Sequence, residues 1–117
     1  NKGTRLLVTN KVFDFFFYLN ENETLHESSI ATLRAPLVNG LDKFIGHNPM
    51  IRLEWDGVYR LFIKKHYRII GFFYRGNEEF IAIDYYEKKA PKLNANQKKC
   101  INRVAIIKRD VSFTYRK

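Results

Sequence analysis

Residues 58–89, VYRLFIKKHYRIIGFFYRGNEEFIAIDYYEKK, constrain the fold more than any other stretch of the chain. Three apolar runs, Val58 to Lys64, Tyr67 to Tyr74 and Glu79 to Tyr86, are separated by short polar or Gly-containing breaks. That pattern predicts a three-stranded antiparallel meander with consecutive strands adjacent. The link Arg75-Gly76-Asn77-Glu78 carries Gly-Asn, two residues that tolerate positive φ in a hairpin turn. The break Lys64-Lys65-His66 predicts a second tight connection.

Side chains of a strand alternate between its two faces. In the first run this separates Tyr59, Leu61 and Ile63 from Arg60, Phe62 and Lys64. In the third it separates Ile81, Ile83 and Tyr85 from Phe80, Ala82, Asp84 and Tyr86. Placing Arg68 with the other charges gives one face of Arg60, Phe62, Lys64, Arg68, Phe72, Tyr74, Phe80, Asp84 and Tyr86. Cations there neutralise phosphates and ring faces accept unstacked bases, the combination that single-stranded nucleic acid requires. The plainer reading is a half-exposed sheet face whose aromatics pack under the C-terminal segment.

Charge distribution bears on that choice. Residues 1–58 hold six Lys/Arg against seven acids, a net −1, and residues 59–117 hold fifteen against five, a net +10. The whole basic excess therefore lies on the meander and the segment after it. It suits a polyanion: nucleic acid, the ribosome or an acidic protein. A chain of 117 residues, 45% hydrophobic, fits a single domain over residues 1–117. No apolar run reaches the ~18 residues of a membrane span, and the N-terminal residues lack the apolar core of a signal peptide. A lone Cys100 forms no internal disulfide, so a cytoplasmic location is expected, with the thiol as a small buried hydrophobe.

The flanking segments carry their own signals. Arg5-Leu6-Leu7-Val8 is an apolar run suited to a sheet edge. Thr9 or Asn10 caps a helix from about Lys11 to Asn20, with Val12, Phe15, Phe16 and Leu19 at helical spacing. Thr24 with Glu27 forms a capping box opening a second helix, in which Pro36 predicts a kink or a division into two. Gly46 ends that element, and Met50 to Trp55 predicts a short strand before the turn Asp56-Gly57. Asn94 with Gln97 opens a last helix to about Arg109, apolar at Ile101 and Val104 and basic at Lys98, Lys99, Arg103 and Arg109. Val111 to Lys117 reads as a strand or a loose tail. His26, His47 and His66 lack metal-ligand spacing, and there is no phosphate-binding glycine loop or serine nucleophile elbow. No metal or other cofactor is expected.

The strand sequences GVYRLFI (57–63), YRII (67–70) and FIAIDYYEKK (80–89), in that order and spacing, resemble the signature of RelE/HigB toxins of bacterial type II toxin–antitoxin systems. The resemblance, which takes in the helical hairpin before them, covers almost the whole chain. It implies an α+β, RelE-like fold: an N-terminal helical hairpin packed on a small antiparallel sheet, here with a C-terminal helix. It also implies a metal-independent endoribonuclease that cuts mRNA in the ribosomal A site. An acidic antitoxin neutralises such toxins in a hetero-oligomeric complex. Carried over singly, Arg68 matches the family's Tyr-Arg arginine, Arg60 a basic strand position, and Lys88 with Lys89 the basic pair closing the last strand. Asp84 stands where many members have His, and Phe62 where some have a further cation. The tyrosine of the C-terminal segment in some members has no evident counterpart.

Cleavage by attack of the RNA's own 2′-hydroxyl needs a base, cations for the phosphorane charge and an acid for the leaving 5′-oxygen. The expected assignments are Arg68, Arg60 and Lys89 on the charge, and Asp84 or Glu54 as base. Tyr86 stacks a base or donates the proton. Lys64, Lys65, Lys88, Phe62 and Tyr74 are expected to bind RNA. Asp84 has an equal alternative as a cross-strand partner of Arg68, and His66 is expected to be a solvated turn residue. The competing functional reading is a toxin of the same fold that inhibits DNA gyrase, or a catalytically silent RNA- or ribosome-binding protein.

Overall fold

The computed structural model describes residues 3–21, 23–46, 50–63 and 66–114, with side chains described except at 18–30 and 112–114. In chain order they form β1 (Arg5–Val8), α1 (Asn10–Glu21), α2 (Glu23–Asn39), a 3-10 turn (Leu41–Phe44), β2 (Ile51–Trp55), β3 (Val58–Ile63), β4 (Tyr67–Tyr74), β5 (Glu79–Glu87) and α3 (Ala95–Thr114). The class is α+β, and the meander is present as β3, β4 and β5, adjacent in that order.

The sheet differs from the expected antiparallel one. Its five strands run β1-β5-β4-β3-β2, and β1 pairs with β5 in parallel. The chain leaves β1 into the helical hairpin and re-enters the sheet at the opposite edge in β2. Successive antiparallel turns then bring β5 back alongside β1 in the same direction. The two-residue turn Asp56-Gly57, with φ of 54° and 74°, makes the β2–β3 hairpin, because two positive φ angles match the strand twist. In the β4–β5 turn the positive φ angles fall on Arg75 and Gly76, one residue earlier than Gly-Asn suggested.

Helices cover both faces of the sheet. On one side Val12 and Phe15 of α1 and Leu33 of α2 pack on Leu61, Ile63, Ile69 and Phe80. On the other, Cys100, Ile101 and Val104 of α3 pack on Val58, Ile70 and Phe72. Thr9 caps α1, its hydroxyl accepting from the Val12 N–H (3.3 Å) and donating to the Ile83 carbonyl (3.0 Å), which fixes the hairpin to the β5 edge. Asn94 and Gln97 form the expected reciprocal cap of α3, at 2.8 and 3.0 Å. That helix runs on to Thr114, past the expected end near Arg109, so Val111 is helical rather than strand or tail. Pro36 does not divide α2, which runs unbroken from Glu23 to Asn39 although the ring cannot donate to the carbonyl four residues back.

One irregularity resets the faces of β5. Ile70 pairs with Asp84 but Gly71 pairs with Ala82, so Ile83 is the extra residue of a β-bulge. A Cβ on Gly71 would lie 2.1 Å from the Ile81 carbonyl oxygen, so only glycine fits opposite the bulge. Beyond it the alternation is inverted. Phe80 and Ala82 join Tyr85 on the hairpin side, and Ile81 and Ile83 join Tyr86 on the α3 side. The expectation that Phe80 shares a face with Arg60 and Arg68 is therefore corrected.

Candidate functional site

On the α3 side of the sheet lies a charged cluster, in which the Arg60 and Glu54 side chains keep 17% and 14% of their surface exposed. Arg60 on β3 pairs with Ile70, Phe62 with Arg68, and Arg68 in turn with Tyr86 on β5. Arg60 and Arg68 are thus diagonal neighbours, about 7–8 Å apart at the backbone, and Tyr86 is directly opposite Arg68. Glu54 of β2 reaches this row, with its Oε2 3.7 Å from the Arg60 Nε. Period two carries Lys88, just past the end of β5, to the same side as Tyr86. Its N–H donates to the His66 carbonyl, extending the ladder.

Burial sets the electrostatics. Arg68 is only 9% exposed, its guanidinium 4.1 Å from the Phe62 ring centroid, and its Nη1 donates to the Tyr67 carbonyl at 3.1 Å. Burial, and then the Arg60 charge, lower the pKa of Arg68, with Tyr86 and Glu54 acting the other way. Burial followed by Arg60 and Arg68 likewise lowers that of Lys88. Burial, and after it the Glu54 carboxylate, push the Tyr86 phenol well above its ordinary range. Its hydroxyl and the Glu54 Oε2 are buried without a hydrogen-bond partner among the described residues. Among the described residues, Arg60, Arg68 and Lys88 gather about the Glu54 carboxylate, with Arg52 also within electrostatic reach of Lys88. Such a group of mutually repelling cations is relieved by an anion.

Other candidates lie elsewhere. Asp84 is opposite Ile70, not Arg68, and does not pair with that arginine. Lys11 of α1 reaches its Oδ1 at 2.6 Å, Arg103 of α3 its Oδ2 at 2.8 Å, and the Tyr85 N–H donates to Oδ1 at 2.8 Å. Burial alone raises the pKa of this carboxyl, but those hydrogen bonds outweigh it and the net shift is downward. Lys89 is exposed beside Glu87, 3.8 Å away, while Lys88 is the member of the pair that joins the cluster. Tyr74 is six residues along β4 from Arg68, about 20 Å away, under Arg75. Phe72 is buried beneath α3, as the plainer reading of the aromatics anticipated. Lys64 and Lys65 lie outside the described residues. His66 is an exposed turn residue.

Sequence reasoning missed Arg52, although its place opposite Arg60 follows once β2 and β3 are recognised as a two-residue hairpin. It also missed Lys11 and Arg103 as partners of Asp84, which no local pattern signals. Among the described residues no group of three or more His, Cys, Asp and Glu side chains could hold a metal ion, and no helix is long and apolar enough to cross a membrane. No protein-family model matches the chain, and no curated protein matches its sequence.

Proposed function

We propose that this chain is a RelE/HigB-like toxin, a metal-independent endoribonuclease that cuts mRNA through 2′-hydroxyl attack. The observation that carries the reading is the meeting of Arg60, Arg68 and Lys88 beside the Glu54 carboxylate on one sheet face. A scissile phosphate held by these cations places its developing phosphorane charge where it is most strongly stabilised. Glu54 takes the 2′-hydroxyl proton in place of Asp84, whose carboxylate is occupied by Lys11 and Arg103. The 2′-oxygen–phosphorus bond forms, the bond to the 5′-oxygen breaks, and the Tyr86 hydroxyl supplies the leaving oxygen's proton. The products are a 2′,3′-cyclic phosphate and a free 5′-hydroxyl. Phe62, stacked under Arg68, keeps the guanidinium in place and offers a ring to an unstacked base.

This reading brings with it the ribosome as the place of action, the cytoplasm as the compartment and an acidic antitoxin as the neutralising partner. The net charge of +9 suits both polyanions. One feature favours binding without cleavage: the Tyr86 hydroxyl is buried and holds its proton tightly, which makes it a poor acid.

Incubation with translating ribosomes separates the two. Cleaved mRNA with cyclic-phosphate ends, lost in Arg68→Ala while the fold persists, is the expected result. Intact mRNA with blocked DNA supercoiling points to the gyrase-inhibiting alternative, and full cleavage by Arg68→Ala removes the proposed site.

A further inference from the structure

From Lys88 to Arg109 the chain holds eight Lys or Arg and no Asp or Glu. Lys98, Lys99, Arg103 and Arg109 are exposed on α3, with Lys92 exposed in the loop that enters it. These charges do not help the helix. Lys98 and Lys99 stand near its N-terminus, where the dipole favours anions, and no acid occupies the first turn. Lys99 and Arg103 are four residues apart, a spacing at which like charges repel across one turn. Arg103 is anchored to Asp84, and the one acid of α3, the exposed Asp110 beside Arg109, offsets only part of the remaining charge. Gln97 donates to the Glu87 carbonyl at 2.7 Å, so this basic half of α3 starts beside the end of β5 that carries Tyr86 and Lys88.

The composition of the face narrows the partner. Its large exposed apolar side chain is Ile106, and its own described positions carry no aromatic ring; the neighbouring Trp55 indole of β2 is half-buried and tied by its N–H to Asn102 at 2.8 Å. A protein interface needs a buried apolar or aromatic anchor cluster, and a single-stranded site needs rings on which bases stack. A duplex backbone needs neither. Between Lys98 and Arg109 the helix rises about 16 Å, enough to follow a run of phosphates.

We infer that the exposed face of α3 is a second nucleic-acid contact, which grips the phosphate backbone of double-helical RNA beside the strand held at the sheet. The choice of RNA rests on the activity proposed above; the contact itself does not require cleavage. Fluorescence anisotropy of the full chain tests it, using an RNA duplex of about 16 base pairs and an unstructured single strand. The variant carries Lys98→Gln, Lys99→Gln and Arg109→Gln, and keeps Arg103 because that residue holds Asp84; thermal unfolding checks its fold. Duplex affinity falls by about tenfold or more, and the salt dependence becomes shallower by roughly 2–3, near 0.9 for each phosphate the variant no longer neutralises. Single-strand binding and cleavage stay within about twofold of the parent protein.

Unchanged duplex affinity, an equal loss of single-strand affinity, or tighter binding of polyglutamate or duplex DNA than of duplex RNA overturns the inference. Arg68→Ala serves as the independent control. If it still cleaves, the sheet site is wrong while α3 binding stands, and if it loses cleavage yet keeps duplex binding, both hold.

Discussion

Replacing Asp84 with Ala tests how the two helical layers are joined. The carboxylate side chain is 6% exposed and is the common partner of Lys11 on α1, 57% exposed, and Arg103 on α3, 60% exposed. A charge-assisted hydrogen bond contributes about 1.5–3 kcal/mol when buried. Partners that are more than half in solvent rehydrate when released, which brings each pair toward about 1 kcal/mol. Two such pairs give a loss of about 2 kcal/mol, or roughly 8 °C in Tm for a chain of this size. The pH dependence is the sharper part. The folded-state pKa of Asp84 is depressed, so its contribution is fully present above the unfolded carboxylate's pKa near 3.9 and is lost as pH falls through the lower folded value. Urea unfolding of parent and variant at pH 7 and at progressively lower pH reads both numbers. The gap should be near 2 kcal/mol at pH 7 and close steadily below about pH 4. A gap under about 0.5 kcal/mol at neutral pH, or one that persists undiminished in acid, refutes the reasoning. Cleavage by Asp84→Ala below its Tm also checks that the residue joins helices and is not the base.

Gly71→Ala places a Cβ against the Ile81 carbonyl and the Phe80 ring; a loss above about 3 kcal/mol by urea unfolding is expected, since neither backbone nor buried ring can yield cheaply. Asn94→Ala removes one half of the α3 cap and should cost about 1 kcal/mol in the same assay, with cleavage retained. The Cys100 thiol is buried and pushed up to about 12, chiefly by burial and then by Asp84, so iodoacetamide at pH 8 should leave it unmodified until the protein is unfolded. Glu54→Gln should abolish cleavage while RNA binding is kept or strengthened, read by single-turnover kinetics beside anisotropy; unchanged cleavage rules out Glu54 as the base.

The meander is legible in the sequence because its strands alternate and its breaks are short, and the Asn94–Gln97 cap because its pattern is local. The bulge is not. In FIAID every residue before Asp84 is apolar, and with both faces of the sheet covered nothing in the pattern marks where the alternation inverts. Gly71, opposite the bulge, is the one sign, and it reads equally well as an ordinary strand glycine. Arg60, Phe62, Arg68 and Tyr86 group correctly because their strand ends lie on one side of that irregularity. Asp84 keeps the face that periodicity assigns it, opposite Ile70, but its partners come from residues 73 and 19 positions away, beyond the reach of any strand pattern. The choice between Lys89 and Lys88 turns on where β5 stops, which one residue of register decides.

The most direct measurement is a titration of the protein with a short RNA whose scissile 2′-hydroxyl is replaced by hydrogen, followed through the arginine Nε–Hε resonances. Arg60 and Arg68 should shift together and saturate with one dissociation constant, while Arg34 and Arg75 stay still. Shifts confined to Arg34 or Arg75, or none at Arg60 and Arg68 at saturation, contradict a phosphate held at this sheet face.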